Sequence, residues 1–307
     1  MSRRKKTGRD ISGIVILDKP LELSSNHAVQ RVKRLFNANK AGHTGSLDPL
    51  ASGVLPICLG HATKVSSYLL ASDKTYQFTM HLGQTTSTGD SEGEVLKERP
   101  VPSIIKDELL EILQRFTGHI QQIPPMYSAL KHEGQRLYKL ARQGQSVERP
   151  ARSLEIKALQ LIVKEKDSLT LEATCSKGTY IRVLAEDIGE AIGCGAYVMM
   201  LRRLVTGPFR INESVTLDKL QSISEKSDAG NFLALDEQLQ SLDAALQDYP
   251  SLQWVDEYKQ RLCQGQAVVC ETAPKQPLIR LYGQDDTIFG LGKWCEPNLI
   301  APIRIFD

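Results

Sequence analysis

The chain has 307 residues, of which 41% are hydrophobic and 24% are charged, and its formal net charge is +2. This length suffices for one large domain with a real core or for two domains, and the composition is that of an ordinary soluble protein. No apolar run approaches the roughly 18 residues that a membrane span needs. The first apolar patch, at 14–17, is too short for a secretory signal. We therefore expect a cytoplasmic protein without a membrane partner.

The predicted elements, taken in chain order, mix strands and helices without a regular βαβ repeat. Residues 13–17 are predicted to form a short buried strand, and Ser24 or Ser25 is predicted to cap the helix that follows. The later predictions are a helix at 62–71, an alternating strand at 76–82, a polar loop at 84–94, a helix at 104–116, strands at 155–164 and 169–175, a helix ending near Ala191, a strand at 198–204 and a small all-β unit after Pro250. This mixture favours an α+β fold over a doubly wound parallel sheet.

Cysteine spacing and local charge indicate which partners are plausible. The six cysteines show no C-x-x-C pair or other zinc-like spacing, so we expect reduced structural thiols and no metal site. Cations cluster in two places, with five in residues 1–10 and six in residues 131–152. Such basic segments on a nearly neutral protein suit a polyanion, nucleic acid above all, although a solvated surface helix and a basic tail show the same pattern.

The stretch at 42–53 places Asp48 in a turn made of glycines, a proline and small hydroxyl residues, with His43 five positions upstream. Glycines let another molecule approach the backbone closely, and an acid that touches a ligand is best placed on such a loop. An aspartate before a proline is also a common helix start, in which the carboxylate caps free N–H groups. Spacing alone favours the helix cap over a catalytic carboxylate.

Several familiar chemistries are absent from the sequence. It contains no phosphate-cradling G-x-x-x-x-G-K-[ST] pattern, no G-x-G-x-x-G after a strand, and no G-x-S-x-G nucleophile elbow. His43, Ser46 and Asp48 lie within six residues, but that closeness does not provide the geometry of a catalytic triad. We therefore expect no nucleotide, metal or organic cofactor.

The remaining candidates for a site with Asp48 are two tyrosines and an arginine. Tyr180 and Arg182 are two residues apart, so on extended backbone they point to the same face. An arginine beside a carboxylate favours its ionised form and orients it. Taken singly, Tyr76 and Tyr180 are better explained as core rings with a solvated hydroxyl, and Arg182 as part of a structural ion pair.

Taken together, these residues and their contexts resemble the tRNA pseudouridine-55 synthase (TruB) family in its bacterial form. The matching segments are 17–20, 24–26, 41–60, 82–83, 125–131, 175–182 and 201–204. They are distributed over the part of the chain from residue 13 to about 210, and the unbroken match around Asp48 is highly specific. The run at 302–306 is more weakly similar to the family's appended PUA-type RNA-binding domain. One departure is Glu22, where the family usually has glycine.

The resemblance implies an α+β fold with a pseudouridine-synthase catalytic domain. Its central sheet is expected to be mixed, largely antiparallel and flanked by helices, and a small β-rich, PUA-like domain is expected at the C-terminus. The implied boundaries are a basic tail at 1–10, a catalytic domain at 11–248 with a thumb-like RNA-gripping insertion at 124–152, and the PUA-like domain at 249–307.

The resemblance also implies the reaction. Members of the family isomerise one uridine in the T loop of tRNA by breaking the bond between base and ribose, turning the base over and rejoining it through carbon. The reaction is redox-neutral and needs no cofactor. Asp48 is the implied catalytic carboxylate. It attacks uracil C6 or ribose C1′, or it removes the ribose 2′ proton, and the sequence does not choose among these.

The family match assigns the other site residues by position. The implied substrate pocket contains Tyr76, which stacks on the base and is a candidate to take the C5 proton, together with Tyr180, Arg182, Leu201 and Lys19. His43 is implied to fill the position that the flipped base leaves in the RNA. The other implied RNA-binding residues are Lys131, Arg136, Arg142, Arg149 and Arg152.

The expected partner is the T stem-loop of tRNA, bound by a monomer without a guide RNA. Two other hypotheses stay open. In one, the chain is a non-catalytic protein that binds or folds tRNA, and Asp48 only caps a helix. In the other, it is a guide-RNA-dependent subunit of a larger particle, which the long thumb-like insertion disfavours.

Overall fold

The computed structural model describes residues 8–228, 230–271, 274 and 276–306. Most of the predicted basic tail, residues 1–7, lies outside them. The strands up to residue 216 are β1 (Gly13–Lys19), β2 (Ala41–His43), β3 (Ala51–Leu59), β4 (Lys74–Leu82), β5 (Gln84–Thr86), β6 (Val95–Glu98), β7 (Gly118–Gln122), β8 (Lys131–His132), β9 (Gln135–Arg136), β10 (Arg152–Lys164), β11 (Ser168–Cys175), β12 (Ala196–Thr206), β13 (Phe209–Arg210) and β14 (Val215–Thr216). The helices up to residue 236 are α1 (Ser25–Leu35), α2 (Ser66–Ala71), α3 (Lys106–Gln114), α4 (Leu137–Ala141), α5 (Ile181–Ile192), α6 (Leu217–Lys226) and α7 (Leu233–Asp236).

A large mixed sheet forms the centre of this part of the chain. Its strand order is β14-β1-β3-β12-β4-β11-β10-β7, with β2 and β13 attached at β3 and β12. Only the pairs β1 with β14 and β3 with β12 are parallel. The sheet is therefore largely antiparallel and flanked by helices, which confirms the predicted α+β class.

The burial of the strands follows from their places in the sheet. Strand β3 lies between β1 and β12 and is buried at all but one of its residues, as expected for a strand covered on both faces. The alternating apolar residues of β4 place Phe78, Met80 and Leu82 in the core, where they join buried residues of α1 and α5. Helix α1 begins after Ser24, whose side chain accepts a hydrogen bond from the His27 amide at 3.3 Å, as predicted.

The C-terminal part forms a second, five-stranded sheet. Its strands are β15 (Ser251–Gln253), β16 (Val268–Val269), β17 (Leu278–Tyr282), β18 (Ile288–Cys295) and β19 (Leu299–Ile305), in the order β15-β17-β18-β19-β16. The prediction of an all-β unit is wrong in one respect, because the helix α8 (Asp256–Cys263) packs on this sheet. Leu291 and Phe306 belong to the same buried apolar cluster as Ile14 and Ile16 of β1, so the two sheets share part of their core.

Three local predictions are wrong. No helix follows Asp48, because Pro49 and Leu50 form a turn that leads directly into the buried strand β3. The helix predicted at 62–71 is interrupted, since a 3-10 turn (Gly60–Lys64) precedes α2. The loop predicted at 84–94 begins with β5, whose pairing with β6 satisfies its backbone groups.

No helix in the described ranges is both long and apolar enough to cross a lipid bilayer.

Glu22 adopts a backbone conformation that suits glycine. Its φ is +62°, in the left-handed region, and its amide donates to the Pro49 carbonyl at 2.8 Å, so this turn contacts the Asp48 loop. A side chain in this region costs about 1–2 kcal/mol. Glycine removes this strain, but its larger backbone entropy in the unfolded chain offsets part of the gain. We therefore expect Glu22→Gly to raise the free energy of unfolding by about 0.5–1 kcal/mol. Urea unfolding measures the change. Glu22→Ala removes the same charge but keeps the strain, so an equal gain in that variant would contradict this explanation.

Candidate active site

The Asp48 loop is held by its neighbours rather than by a helix. The Ser25 hydroxyl, at the start of α1, donates to the Leu47 carbonyl at 2.9 Å and accepts from the Leu47 amide at 2.7 Å. On the other side of the loop, the Ala51 amide donates to the Asp48 carbonyl at 3.0 Å as β3 begins. The loop is thus clamped at both ends, while the side chain of Asp48 remains 45% exposed. An acid that must meet a ligand requires this combination of a fixed backbone and an accessible carboxylate.

Arg182 is the main partner of Asp48. Its guanidinium lies 3.0 Å from the Asp48 carboxylate and donates to the carbonyls of Thr88 and Tyr127, each at 2.9 Å. The side chain is only 7% exposed, so several fixed acceptors compensate the buried charge. Arg182 therefore orients the carboxylate and connects three separate segments of the chain.

Tyr180 and Arg182 lie at the same site, but the backbone between them is not the extended backbone that was assumed. Helix α5 starts at Ile181, so the assumption of extended backbone at Arg182 is wrong, and Tyr180 is the residue just before the helix. The buried side chain of Gln122 holds Tyr180 in place. It accepts from the Tyr180 amide at 2.8 Å and donates to the Tyr180 carbonyl at 3.1 Å.

Asp90 is a buried site residue that sequence reasoning missed. Its carboxylate lies 3.3 Å from Arg182 on the side of the guanidinium away from Tyr127, and it accepts hydrogen bonds from the Thr88 hydroxyl and the Glu92 amide. Arg182 is thus shared between an exposed and a buried carboxylate. Asp90 lies within the polar stretch predicted as a loop, and no local pattern distinguishes it from the other acids there.

Arg203 is a second missed residue, and it lies beneath the site. It is 1% exposed, donates to the Val54 carbonyl at 2.7 Å and to the Gly45 carbonyl at 3.0 Å, and its guanidinium carbon lies 6.0 Å from the centre of the Tyr76 ring. The available signal was the adjacent pair Arg202 and Arg203 within an otherwise apolar predicted strand. Such a residue must find fixed acceptors when it is buried.

A cavity of about 360 Å³ brings the main candidates together. Among the residues that line it are Asp48, Tyr76, Tyr180, Arg182, Leu201, Lys74, Cys175 and Arg203. Lys19, predicted to belong to the substrate pocket, is not among them. It is completely buried, and its ammonium donates to the carbonyls of Pro20 and Leu23 at 2.7 and 2.6 Å. Burial lowers its pKa to about 8, although the nearby charge of Asp48 acts in the opposite direction.

The charges around the cavity set the protonation of two further candidates. Burial raises the pKa of Tyr76, and the Arg203 guanidinium only partly opposes that change, so the phenol is neutral at pH 7. Burial and Arg203 both lower the pKa of His43, so its imidazole is neutral as well. His43 is the last residue of β2, outside the cavity lining, and its buried Nδ1 has no hydrogen-bond partner among the described residues.

Glu186, one turn after Arg182, introduces a pH dependence. Its carboxylate lies so close to Gly89 that a side chain at that position would collide with it. Burial, reinforced by the charge of Asp187, raises the pKa of Glu186 from 4.5 to about 7. Because the folded state holds this proton more tightly than the unfolded chain, stability is lost as pH rises from about 4.5 to about 7. We expect Glu186→Gln to match the wild type near pH 4.5 and to become progressively more stable than it up to pH 7. Urea midpoints across this range measure the difference, and a constant difference would contradict the assignment.

The five cations of the thumb-like insertion lie outside the cavity. Lys131 and Arg136 belong to the hairpin β8–β9, whose turn residues Glu133 and Gly134 both have positive φ. Arg142 follows α4, Arg149 is half-buried, and Arg152 begins β10. Within the described residues none of the five forms an ion pair.

No group of three or more His, Cys, Asp or Glu in the described ranges is arranged to hold a metal ion.

Three family models together match most of the chain. Residues 33–181 match the N-terminal domain model of the TruB family pseudouridylate synthases, residues 182–247 match the tRNA pseudouridylate synthase B C-terminal domain, and residues 250–306 match the C-terminal model of pseudouridine synthase II TruB. A curated tRNA pseudouridine synthase B of Pseudomonas fluorescens (strain Pf0-1) is 50% identical over 305 residues, covering 99% of both chains. The protein of that name from Nitrosococcus oceani is 48% identical over 303 residues, covering 99% of this chain and 97% of its own.

Solved structures show the same fold. A chain in the crystal structure of a Cbf5-Nop10-Gar1 complex superposes with a TM-score of 0.75 at 25% identity, covering 96% of this chain and 85% of that chain. A chain in the structure of an H/ACA RNP bound to a substrate RNA containing 2′-deoxyuridine gives a TM-score of 0.74 at 22% identity, covering 100% of this chain and 92% of that chain. The second likeness concerns the fold alone. With the family models and the curated relatives, these findings show that the chain belongs to the TruB family of pseudouridylate synthases.

Proposed function

We propose that the protein isomerises the uridine at position 55, in the T loop of tRNA, to pseudouridine. One observation supports this above all: the exposed carboxylate of Asp48 is fixed by Arg182 at a cavity whose lining includes Tyr76, Tyr180 and Leu201. The curated relatives named tRNA pseudouridine synthase B support tRNA as the substrate. The reaction breaks the N1–C1′ bond of the nucleotide and forms a C5–C1′ bond. It is redox-neutral, so acid–base and covalent chemistry by side chains suffices.

Asp48 is the proposed catalytic residue. As a nucleophile it attacks uracil C6 or ribose C1′, and as a base it removes the ribose 2′ proton; each role requires the carboxylate form. The Arg182 guanidinium, 3.0 Å away, stabilises that negative charge. Asp90, on the other side of Arg182, holds the guanidinium in place while the charge on Asp48 changes during the reaction.

Tyr76, Tyr180 and Leu201 are the proposed walls of the base pocket. Leu201 is 6% exposed, at the point where β12 pairs with β3 and β4, and it provides an apolar surface. Because Tyr76 is neutral at pH 7, we infer that it stacks on the uracil. Its hydroxyl then accepts the C5 proton while passing its own proton to solvent water, rather than acting as a phenolate base. When the bound base displaces water from these walls, the interaction between Asp48 and the reacting atoms is strengthened.

The target base must leave its stack to reach Asp48, at a cost of a few kcal/mol. We propose that His43 fills the vacated position in the RNA. Its ring is neutral, so stacking does not require the desolvation of a charge. Lys19 is proposed to act without contacting the substrate, by holding the turn at residues 20–23 against the Asp48 loop.

We propose that one domain carries out catalysis and that the other binds RNA. The catalytic domain at 11–248 includes the RNA-gripping thumb-like insertion at 124–152, and the unit at 249–307 is proposed to be a PUA-like RNA-binding domain. RNA duplexes are recognised mainly through their shape and backbone, so the proposed thumb contacts of Lys131, Arg136, Arg142, Arg149 and Arg152 are with phosphates. We propose that the protein acts as a cytoplasmic monomer on free tRNA.

Neutralising the thumb tests its part in binding. We expect the change of Arg142, Arg149 and Arg152 to glutamine to weaken tRNA binding at least about 10-fold and to lower the salt slope by roughly 0.7–0.9 for each lost contact. Single-turnover chemistry at saturating protein should stay intact. The same three changes at the exposed Lys106, Arg115 and Lys226 are the charge-matched control. Wild-type affinity in the thumb variant would contradict the proposed contact.

Release of tritium from tRNA tests the proposed reaction itself. The transcript carries tritium at uracil C5, and that hydrogen leaves to water when C5 bonds to C1′. We expect the purified protein, without guide RNA, to release one label per tRNA, and to release none from a transcript with cytidine at position 55. Binding without release would favour the non-catalytic RNA-binding protein. Release only after a guide RNA is added would favour the guide-dependent subunit.

A further inference from the structure

Helix α1 and the residues around it form a stretch of the chain that contains no acid. Residues 23–47 include Arg31, Lys33, Arg34 and Lys40 but no Asp or Glu. The helix is amphipathic, because Ala28, Val29 and Val32 are buried against the core. The opposite side presents an exposed stripe, with helical i, i+3, i+4, i+7 spacing. This α1 stripe consists of His27, Gln30, Arg31 and Arg34.

The two arginines of the α1 stripe are not neutralised by the protein. Within the described residues neither forms an ion pair, whereas Arg9 pairs with Asp236 at 2.5 Å and Arg202 pairs with Asp18 at 2.7 Å. Arg31 and Arg34 instead line one side of an open groove of about 260 Å³ between α1 and α6. Its other lining residues are Leu35, Leu217 and Gln221. None of these is acidic, so an anion entering the groove meets two guanidinium groups and no carboxylate in the lining.

The position of the α1 stripe relates it to the active site. The helix starts at Ser25, which is bonded to Leu47 next to Asp48. With a rise of 1.5 Å per residue, Arg31 and Arg34 lie about 9 and 14 Å further along the axis. The sheet order places β1, which precedes α1, near one end of the sheet, whereas β7 and β10, which flank the thumb, lie at the other end. RNA with one nucleotide in the pocket would therefore have the thumb on one side and the α1 stripe on the other.

We propose that the α1 stripe is a second RNA-binding surface, in which Arg31 and Arg34 contact backbone phosphates of the bound substrate on the side away from the thumb. The proposal rests on the tRNA substrate inferred above. Two guanidinium groups in an open, acid-free groove match the charge and the bidentate geometry of phosphate. Such contacts position the RNA and do not read its sequence.

The test is the binding of full-length tRNA by the double variant Arg31→Gln, Arg34→Gln, measured by filter binding over a series of KCl concentrations. We expect binding about 5- to 20-fold weaker at low salt and a salt slope reduced by roughly 1.4–1.8, at 0.7–0.9 per lost phosphate contact. The control, Lys106→Gln at the start of α3 with Arg115→Gln just after its end, makes the same change in net charge and should keep wild-type affinity. Urea unfolding of each variant shows whether the fold is retained.

Binding is measured without turnover, so this result does not depend on catalysis. If wild-type protein binds tRNA but releases no tritium, the proposed reaction fails while the α1 stripe is still tested. A loss of affinity in the stripe variant, with the control unchanged, supports the proposal. Wild-type affinity and salt slope in the stripe variant overturn it, as does an equal loss in the control.

Discussion

Asp48→Asn is expected to lower the rate of tritium release from labelled tRNA by at least about 10³-fold and to leave tRNA binding within about 2-fold of the wild type. Asparagine has nearly the same shape as aspartate but neither the negative charge nor the basicity that each proposed role requires. The fold should be unaffected, because the Asp48 side chain is 45% exposed and Arg182 retains Asp90 and the carbonyls of Thr88 and Tyr127.

The control for this experiment is Asp107→Asn, an exposed carboxylate near the start of α3, which makes the same chemical change away from the cavity. It should keep the wild-type rate. Asp48→Asn with an unchanged rate would show that Asp48 is not the catalytic residue. A loss of both release and binding would instead indicate that the substitution disturbs the loop.

Gly53→Ala is expected to lower the free energy of unfolding by about 3–5 kcal/mol, or to prevent folding. Gly53 has a φ of +103° and lies where β3 pairs with β12. An added Cβ would stand 2.2 Å from the carbonyl oxygen and 2.8 Å from the nitrogen of Arg203, and these backbone atoms cannot move without opening the sheet. The strained φ adds about 1–2 kcal/mol to the cost of the overlap.

Gly144→Ala separates these two effects. Gly144 also has a positive φ, of +72°, but a Cβ there meets nothing within 4 Å. It should therefore lose only the backbone strain of about 1–2 kcal/mol less the entropy that alanine removes from the unfolded chain, a net of about 0.5–1 kcal/mol. Urea unfolding of both variants gives the comparison, and equal losses would contradict the role assigned to the contact between Gly53 and Arg203. Since β3 follows directly from the Asp48 loop, any soluble Gly53→Ala protein should also have reduced activity.

Local pattern predicted the long elements well because their apolar periodicity is strong. The alternating residues at 76–82 predicted β4, and the helix predicted at 104–116 contains α3. The errors fall where tertiary contacts override a local preference. An aspartate before a proline favours a helix start, but the residues after Leu50 are buried on the sheet as β3 and cannot leave it. Tyr180 and Arg182 share a site because a helix starts between them, not because they lie on one strand.

By itself, the sequence determined the α+β class, the family resemblance and the residues that stand in the family's motifs, among them Asp48, Tyr76, Tyr180, Arg182 and Leu201. Only the tertiary structure decided how these residues meet. It showed that Asp90 shares Arg182 with Asp48, that Arg203 lies beneath Tyr76, and that Lys19 is buried outside the cavity. The physical reason is the range of the interactions. Strand and helix patterns come from neighbours within one turn or one pleat, whereas Asp48, Asp90 and Arg182 are far apart in the chain. Only the packing of the sheet brings the two carboxylates to 3.0 and 3.3 Å from the Arg182 guanidinium.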